Sequence, residues 1–143
     1  RAGREDRPGR AMLQTYMPEH PVIQALASSD RDRFVAAEMA ARESAGWPPF
    51  GRLAALIVSG PDEAATDAVA RALARAAPSM AGVKVLGPAP APLSLLRGRF
   101  RRRLLLRGAR EVRVQDVLAD WLAQVDVPTA VRVQVDIDPY SFM

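Results

Sequence analysis

From Gly51 onward, apolar residues fall into runs whose period switches between two and 3.6, and the order of those runs predicts the fold. In RLAALIVSG, Leu53, Ala55 and Ile57 alternate with Arg52, Ala54, Leu56 and Val58, a mostly buried strand that stops at Gly60-Pro61. Asp62 and Glu63 then open a helix, where acids suit the positive end of the dipole. Ala65, Ala68, Val69, Ala72, Leu73 and Ala76 supply its apolar stripe. GVKVLGP (82–88) reads as a second strand, and PAPAPLSLLRG as a loop whose alternating prolines favour an extended, polyproline-like path. RFRRRLLLRG (99–108) is the third strand. Val114, Val117, Leu118, Trp121, Leu122 and Val125 mark a second amphipathic helix, and AVRVQVDID places Val131, Val133, Val135 and Ile137 on one strand face against Arg132, Gln134, Asp136 and Asp138. The resulting β-α-β-β-α-β order is the split-βαβ, ferredoxin-like arrangement, an α+β fold with two helices on one face of an antiparallel sheet.

The first 50 residues follow no such repeat. RAGREDRPGR (1–10) is loop-like in composition. AMLQTYM (11–17) alternates as a short strand stopped by Pro18, Pro21–Ala27 suits a short helix with proline in its first turn, and Ser29 or Asp30 can cap a longer helix from Arg31 to Ala45. Gly46 and the Pro48-Pro49 pair end it. An edge strand at 11–17 would leave unpaired backbone groups, so partial fraying of residues 1–29 is expected.

Charge changes this picture because of where it sits. The chain of 143 residues carries a formal +4, but Arg97 to Arg113 holds eight arginines and one acid, Glu111, while the rest holds 12 bases and 15 acids. Nineteen of the 20 bases are arginine, whose planar fork suits bidentate phosphate contact. A GC-rich coding bias accounts for the choice of arginine, but not for its clustering. With no cysteine and one histidine, His20, the sequence has no disulfide, thiol nucleophile, iron–sulfur cluster or histidine-rich metal site. No apolar run approaches the roughly 20 residues of a membrane span, so a cytoplasmic, monomeric protein is expected. Starting on Arg rather than Met, the chain is expected to be the tail of something longer.

If 99–108 is a strand, Arg101, Arg103 and Arg107 share a face with Leu105, while Phe100, Leu104 and Leu106 turn to the helices. Arg102 then falls on the apolar side and must sit near an edge or reach out. A solvated arginine ladder binds nucleic-acid backbones without regard to sequence, and such binding weakens steeply with salt. The other reading is a solvated face paired with Asp136 and Asp138 on a neighbouring strand. Those two aspartates also share a strand face, as paired-carboxylate or metal chemistry would want, but no further ligand or base accompanies them. Ending the strand and pairing with arginines is the simpler role. His20 in its PEHP turn reads as a turn residue, Trp121 as core, and Trp47 as a packing anchor. Tyr140 and Phe142 are candidates to tuck against a neighbour or stack on bases. The chain has no GxxxxGK[ST] phosphate loop and no DExx motif.

As an ensemble, RAGR, RPGRAMLQTYMPEHPVIQAL, FVAAEMAARE, WPPFGRLAALIVSG, VLGPAPAPLSLLRGRFRRRLLL and VRVQVDIDPYSFM resemble the C-terminal end of the primosomal protein N′ (PriA) family of replication-restart helicases. The likeness runs end to end. It implies that Arg1 and Arg4 end a helicase motif VI of the form QxxGRAGR and act as ATP-sensing arginines. Residues 1–29 would finish a RecA-like second helicase lobe, residues 30–49 would form a connecting helix, and residues 50–143 would be a ribosomal S10-like domain for DNA binding and docking. On that basis Arg97, Arg99, Arg101, Arg103 and Arg107 are expected to contact branched or single-stranded DNA. Arg110, Arg113 and Gln115 are expected to receive the acidic tail of single-stranded DNA-binding protein, although Glu111 among them clouds which arginine serves; other primosome proteins are further expected partners. The family's full-length members are ATP-dependent 3′-to-5′ helicases that use ATP, magnesium and zinc. Lacking the phosphate loop, DExH motif and cysteine segments, this chain by itself is expected to hold no cofactor and no ATPase activity.

Overall fold

A computed structural model describes residues 11–139. The chain divides into two compact units, one ending at Ala41 and the other starting at Arg42.

In the first unit, α1 (Pro21–Ala27) starts as expected, with proline in its first turn. His20 caps it: its Nδ1 accepts from the Val22 amide at 3.3 Å, which gives this histidine a structural task. Helix α2 (Arg31–Ala45) is capped by Asp30, whose Oδ1 accepts from the Arg33 amide at 2.9 Å. The strand expected at 11–17 does not form. A strand needs a neighbour to take its amides and carbonyls, and none of the described residues pairs with this segment. Met12, Leu13, Tyr16 and Met17 are exposed there.

In the second unit, α2 ends at Gly46, whose φ of 62° suits glycine, and a tight turn leads into the sheet. The remaining elements are β1 (Gly51–Gly60), α3 (Glu63–Arg75), β2 (Val83–Leu96), β3 (Arg99–Ala109), α4 (Val114–Leu122) and β4 (Arg132–Ile137). The strands form one open antiparallel sheet in the order β2-β3-β1-β4. That is the split-βαβ topology that the order of elements predicts.

Ala54, Leu56 and Val58 of β1, Leu104 and Leu106 of β3, Val69, Ala70 and Leu73 of α3, and Val114, Leu118 and Trp121 of α4 make one buried core. Each large side chain there contributes about 1.5–3 kcal/mol by leaving water. Asp62 caps α3 by accepting from the Ala65 amide at 2.7 Å. The buried stripe of α3 runs through Thr66, Val69, Ala70 and Leu73, leaving Ala68 exposed, a rotation from the expected stripe. With alanine at nearly every other position, apolar character carries little phase. The Thr66 hydroxyl meets its burial by donating to the Asp62 carbonyl at 2.6 Å.

The expected proline loop is also corrected. Residues 88–96 belong to β2, which runs on to a two-residue turn, Arg97-Gly98, with φ of 50° and 71°. Positive φ at both positions matches the twist of a hairpin. Prolines are tolerated because β2 is an edge strand, and the register slips at two places to accommodate them: residues 87 and 88 stand opposite Leu104, and residues 91–94 opposite Arg101.

Candidate nucleic-acid interface

Since Leu104 and Leu106 face the helices, alternation turns Arg101, Arg103, Leu105 and Arg107 to the open face of the sheet. Cross-strand register then sets their neighbours. Arg107 lies between Lys84 of β2 and Leu53 of β1; Leu105 joins Leu86, Ala55 and Asp136; Arg103 joins Ala89, Ile57 and Gln134; Arg101 shares a rung with Ser59 and Arg132. Adjacent rungs are on the order of 7 Å apart along a strand and adjacent strands about 4.8 Å apart, so long guanidinium arms from different strands share one surface. On these paired rungs Lys84, Arg101, Arg103, Arg107 and Arg132 stand against one acid, Asp136, while Glu43 and Glu111 lie beside Lys84 and Arg107 at one end.

The helical side has the opposite sign. Between residues 62 and 75 and between 111 and 126, seven acids stand against three arginines.

The expected DNA-contacting residues divide by what already occupies them. Arg97 is exposed at the hairpin turn. Arg99 uses Nη2 to donate to the Ser59 and Ala130 carbonyls at 2.9 and 3.2 Å, tying β3 to the end of β1 and the approach to β4. Arg101 donates to the Leu93 carbonyl at a long 3.4 Å, and Arg103 is half-buried. Arg107 donates to the Ala45 carbonyl at 2.6 Å, bracing the end of α2. Lys84 and Arg132 make no side-chain hydrogen bond or ion pair among the described residues, and both are exposed. Their sequence signal was present but mute: period two puts Arg132 on a polar face, yet only the register shows whose face it joins.

Of the paired aspartates, Asp138 ties Arg52, Oδ2 to Nη2 at 2.8 Å, and accepts from the Leu53 amide at 3.0 Å through Oδ1. It turns to φ 48°, closing β4. Among the described residues no three histidine, aspartate or glutamate side chains group as a cation site would require.

Arg102 reaches out from the apolar side. It meets Glu63 at 2.7 Å and Asp67 at 2.6 Å, two acids one turn apart on α3, and keeps 14% of its side chain exposed. The Glu63 hydrogen bond, then the Asp67 hydrogen bond and charge, hold its guanidinium above the ordinary arginine value against the opposing effect of burial. Raised in this way, its contribution is complete below the ordinary arginine range and is lost only at more alkaline pH, so Arg102 itself gives no pH dependence near neutrality. Arg102→Ala should cost about 1–2 kcal/mol, less than a fully buried pair because Glu63 is half in water. Chemical denaturation measures it. A cycle with Asp67→Ala should show coupling, and additive losses would mean that the pair contributes nothing.

The expected docking residues lie at the other end of β3. Arg110 is exposed; Arg113 pairs with Asp116 at 3.0 Å, and Gln115 is exposed on the first turn of α4. An open cavity of about 550 Å³ near them is lined by Lys84, Arg107 and Arg110 together with Glu43, Phe50 and Glu111. Arg113 and Gln115 are not part of it. Arg1 and Arg4, like Tyr140 and Phe142, lie outside the described residues. No described helix is long and apolar enough to cross a membrane.

Comparison with known proteins places this domain. The sequence profile of the primosomal protein N C-terminal domain matches residues 43–140. The replication restart protein PriA of Rickettsia felis is 39% identical over 142 residues, covering 99% of this chain and 22% of that protein. The PriA proteins of Synechocystis sp. and Bacillus subtilis are 35% and 29% identical, over 99% and 100% of this chain and 17% and 18% of theirs. The chain thus spans about a fifth of the length of the curated relatives it matches. With its split-βαβ sheet and a profile match over most of its length, this chain belongs to the family of primosomal protein N C-terminal domains.

Proposed function

We propose that this chain serves replication restart by holding DNA at a fork through phosphate contacts on the open face of its sheet. The observation that carries this is the register that gathers Arg101, Arg103 and Arg107 on the face away from the helices. The acidic helical side supports it by leaving that face as the side of the domain that attracts polyanions. In the larger protein, an ATP-dependent 3′-to-5′ helicase of the cytoplasm, residues 1–29 finish the second helicase lobe. Arg1 and Arg4 contact the nucleotide there, residues 30–49 connect, and residues 50–143 bind DNA and dock on the core. ATP, magnesium and zinc belong to the missing portion.

A second reading rests on the cavity beside Arg110. Its cationic groups and Phe50 suit an acidic peptide with an apolar residue, such as the tail of single-stranded DNA-binding protein. In that case the domain is mainly a docking scaffold.

Fluorescence anisotropy on a labelled branched DNA separates the two. Changing Arg101, Arg103 and Arg107 together to alanine should weaken binding at least tenfold and flatten the log–log salt slope by about 3. Unchanged DNA affinity in a folded triple variant would move the contact elsewhere. No DNA binding by the unmodified chain, with an acidic peptide still bound, would establish the scaffold.

A further inference from the structure

Arg132 lies 29 residues beyond Arg103 in the chain, yet it faces the same surface. Ser59 of β1 pairs with Arg101 on one side and with Arg132 on the other, so the two arginines flank one small side chain, about 10 Å apart at the backbone. Lys84 does the same at the opposite end, directly across from Arg107. Both are exposed and bind no described side chain or carbonyl, whereas Arg99, Arg101 and Arg107 each donate to backbone. The cations with no partner among the described residues are therefore the ones that widen the face from one strand to the whole sheet.

The face is also poor in one kind of group. Between its cations stand Ile57, Ser59, Leu86, Ala89, Leu105 and Gln134, with Leu53 and Ala55 buried beneath their neighbours, and none of these is aromatic. Proteins that hold single strands on a sheet stack bases on aromatic rings as well as tracking the backbone. Among the described residues Phe50 is the ring beside this face, in the cavity at its Lys84–Arg107 end, so the paired rungs themselves can grip phosphates but have little with which to hold an unstacked base.

We propose that Arg132 and Lys84 complete the phosphate-binding face and that this face takes the duplex arm of a branched DNA rather than its single strand. The inference rests on the DNA-binding reading above and adds both the residues and the form of DNA. Phosphates from both strands of a duplex lie one charge per roughly 1.7 Å of axis, so a sheet four strands wide meets several at once.

The test uses the whole chain, a labelled blunt duplex and a labelled thymidine strand of equal length, titrated at several salt concentrations. The duplex should bind more tightly. Arg132→Ala should weaken duplex binding about three- to tenfold and reduce the salt slope by about 1, Lys84→Ala should act likewise, and Arg132→Lys should recover most of the loss. Since Arg132 makes no side-chain hydrogen bond or ion pair among the described residues, thermal unfolding of Arg132→Ala should match the unmodified chain.

Equal or tighter binding of the thymidine strand overturns the duplex assignment. An unchanged affinity and slope in Arg132→Ala overturns the widened face, and if the triple arginine variant still loses binding, the DNA-binding reading survives without it. Failure of the unmodified chain to bind either DNA overturns both.

Discussion

Trp121→Ala should lower the unfolding free energy by about 3–5 kcal/mol, enough to unfold a large fraction of a domain whose total stability is of the usual 5–15 kcal/mol. Among the described residues Trp121 is the largest fully buried side chain, and it sits where α4 meets α3 and the sheet. Its indole Nε1 donates to the Leu73 carbonyl at 2.9 Å, a side-chain hydrogen bond buried inside the core. Alanine removes the ring, leaves a cavity and strands that tie between the two helices. Trp121→Phe keeps most of the volume while losing the donor, and should cost about 1–2 kcal/mol. Urea denaturation followed by far-ultraviolet circular dichroism gives both values. Equal midpoints for Trp121→Ala and the unmodified chain would mean that α4 is not a cooperative part of the fold.

The second large effect comes from backbone geometry. Gly87 has φ of 100°, beyond the left-handed well that an L residue can enter, and it occupies the first register slip of β2. A Cβ added there would lie 2.7 Å from the Arg103 carbonyl and 3.3 Å from the Leu104 Cα, both backbone atoms that no rotamer change can move aside. Gly87→Ala therefore combines conformational strain with overpacking, and should cost about 2–4 kcal/mol. Relief requires β2 to draw away from β3 beside Arg103. Amide hydrogen exchange should accordingly speed up along residues 83–90 and at Arg103 while α4 stays protected. Uniform protection throughout, with no loss of stability, would show that the slip tolerates a side chain.

The order of elements was legible because its evidence is local. Val131, Val133, Val135 and Ile137 declare a strand by themselves, and Asp62 followed by a 3.6-residue repeat declares a helix. What failed depends on neighbours far along the chain. Residues 11–17 alternate like a strand, but alternation only prepares a segment for pairing and no partner among the described residues takes it up. Pro88, Pro90 and Pro92 read as a loop because proline lacks a donor, yet on an edge strand half the donors have no partner anyway. The same contrast holds for the cationic face. Arg101, Arg103 and Arg107 could be grouped from one strand's period. Arg132 and Lys84 needed the register, and so did Glu63 and Asp67, whose spacing of one helical turn hinted at a shared partner without identifying Arg102.

The three prolines of β2 also bear on how the protein behaves in company. An open four-stranded sheet ends on each side in a strand with one row of backbone groups unmatched, which is a template on which another chain can crystallise into a growing ribbon. β2 would be the dangerous side, since it is long and exposes Leu86, Leu93, Leu95 and Leu96. Proline at every second position from 88 to 92 deletes donors there, and the two slips bend what is left out of line with any straight newcomer. Those residues guard a greasy border against self-assembly, and replacing them with better strand formers would trade solubility for sheet.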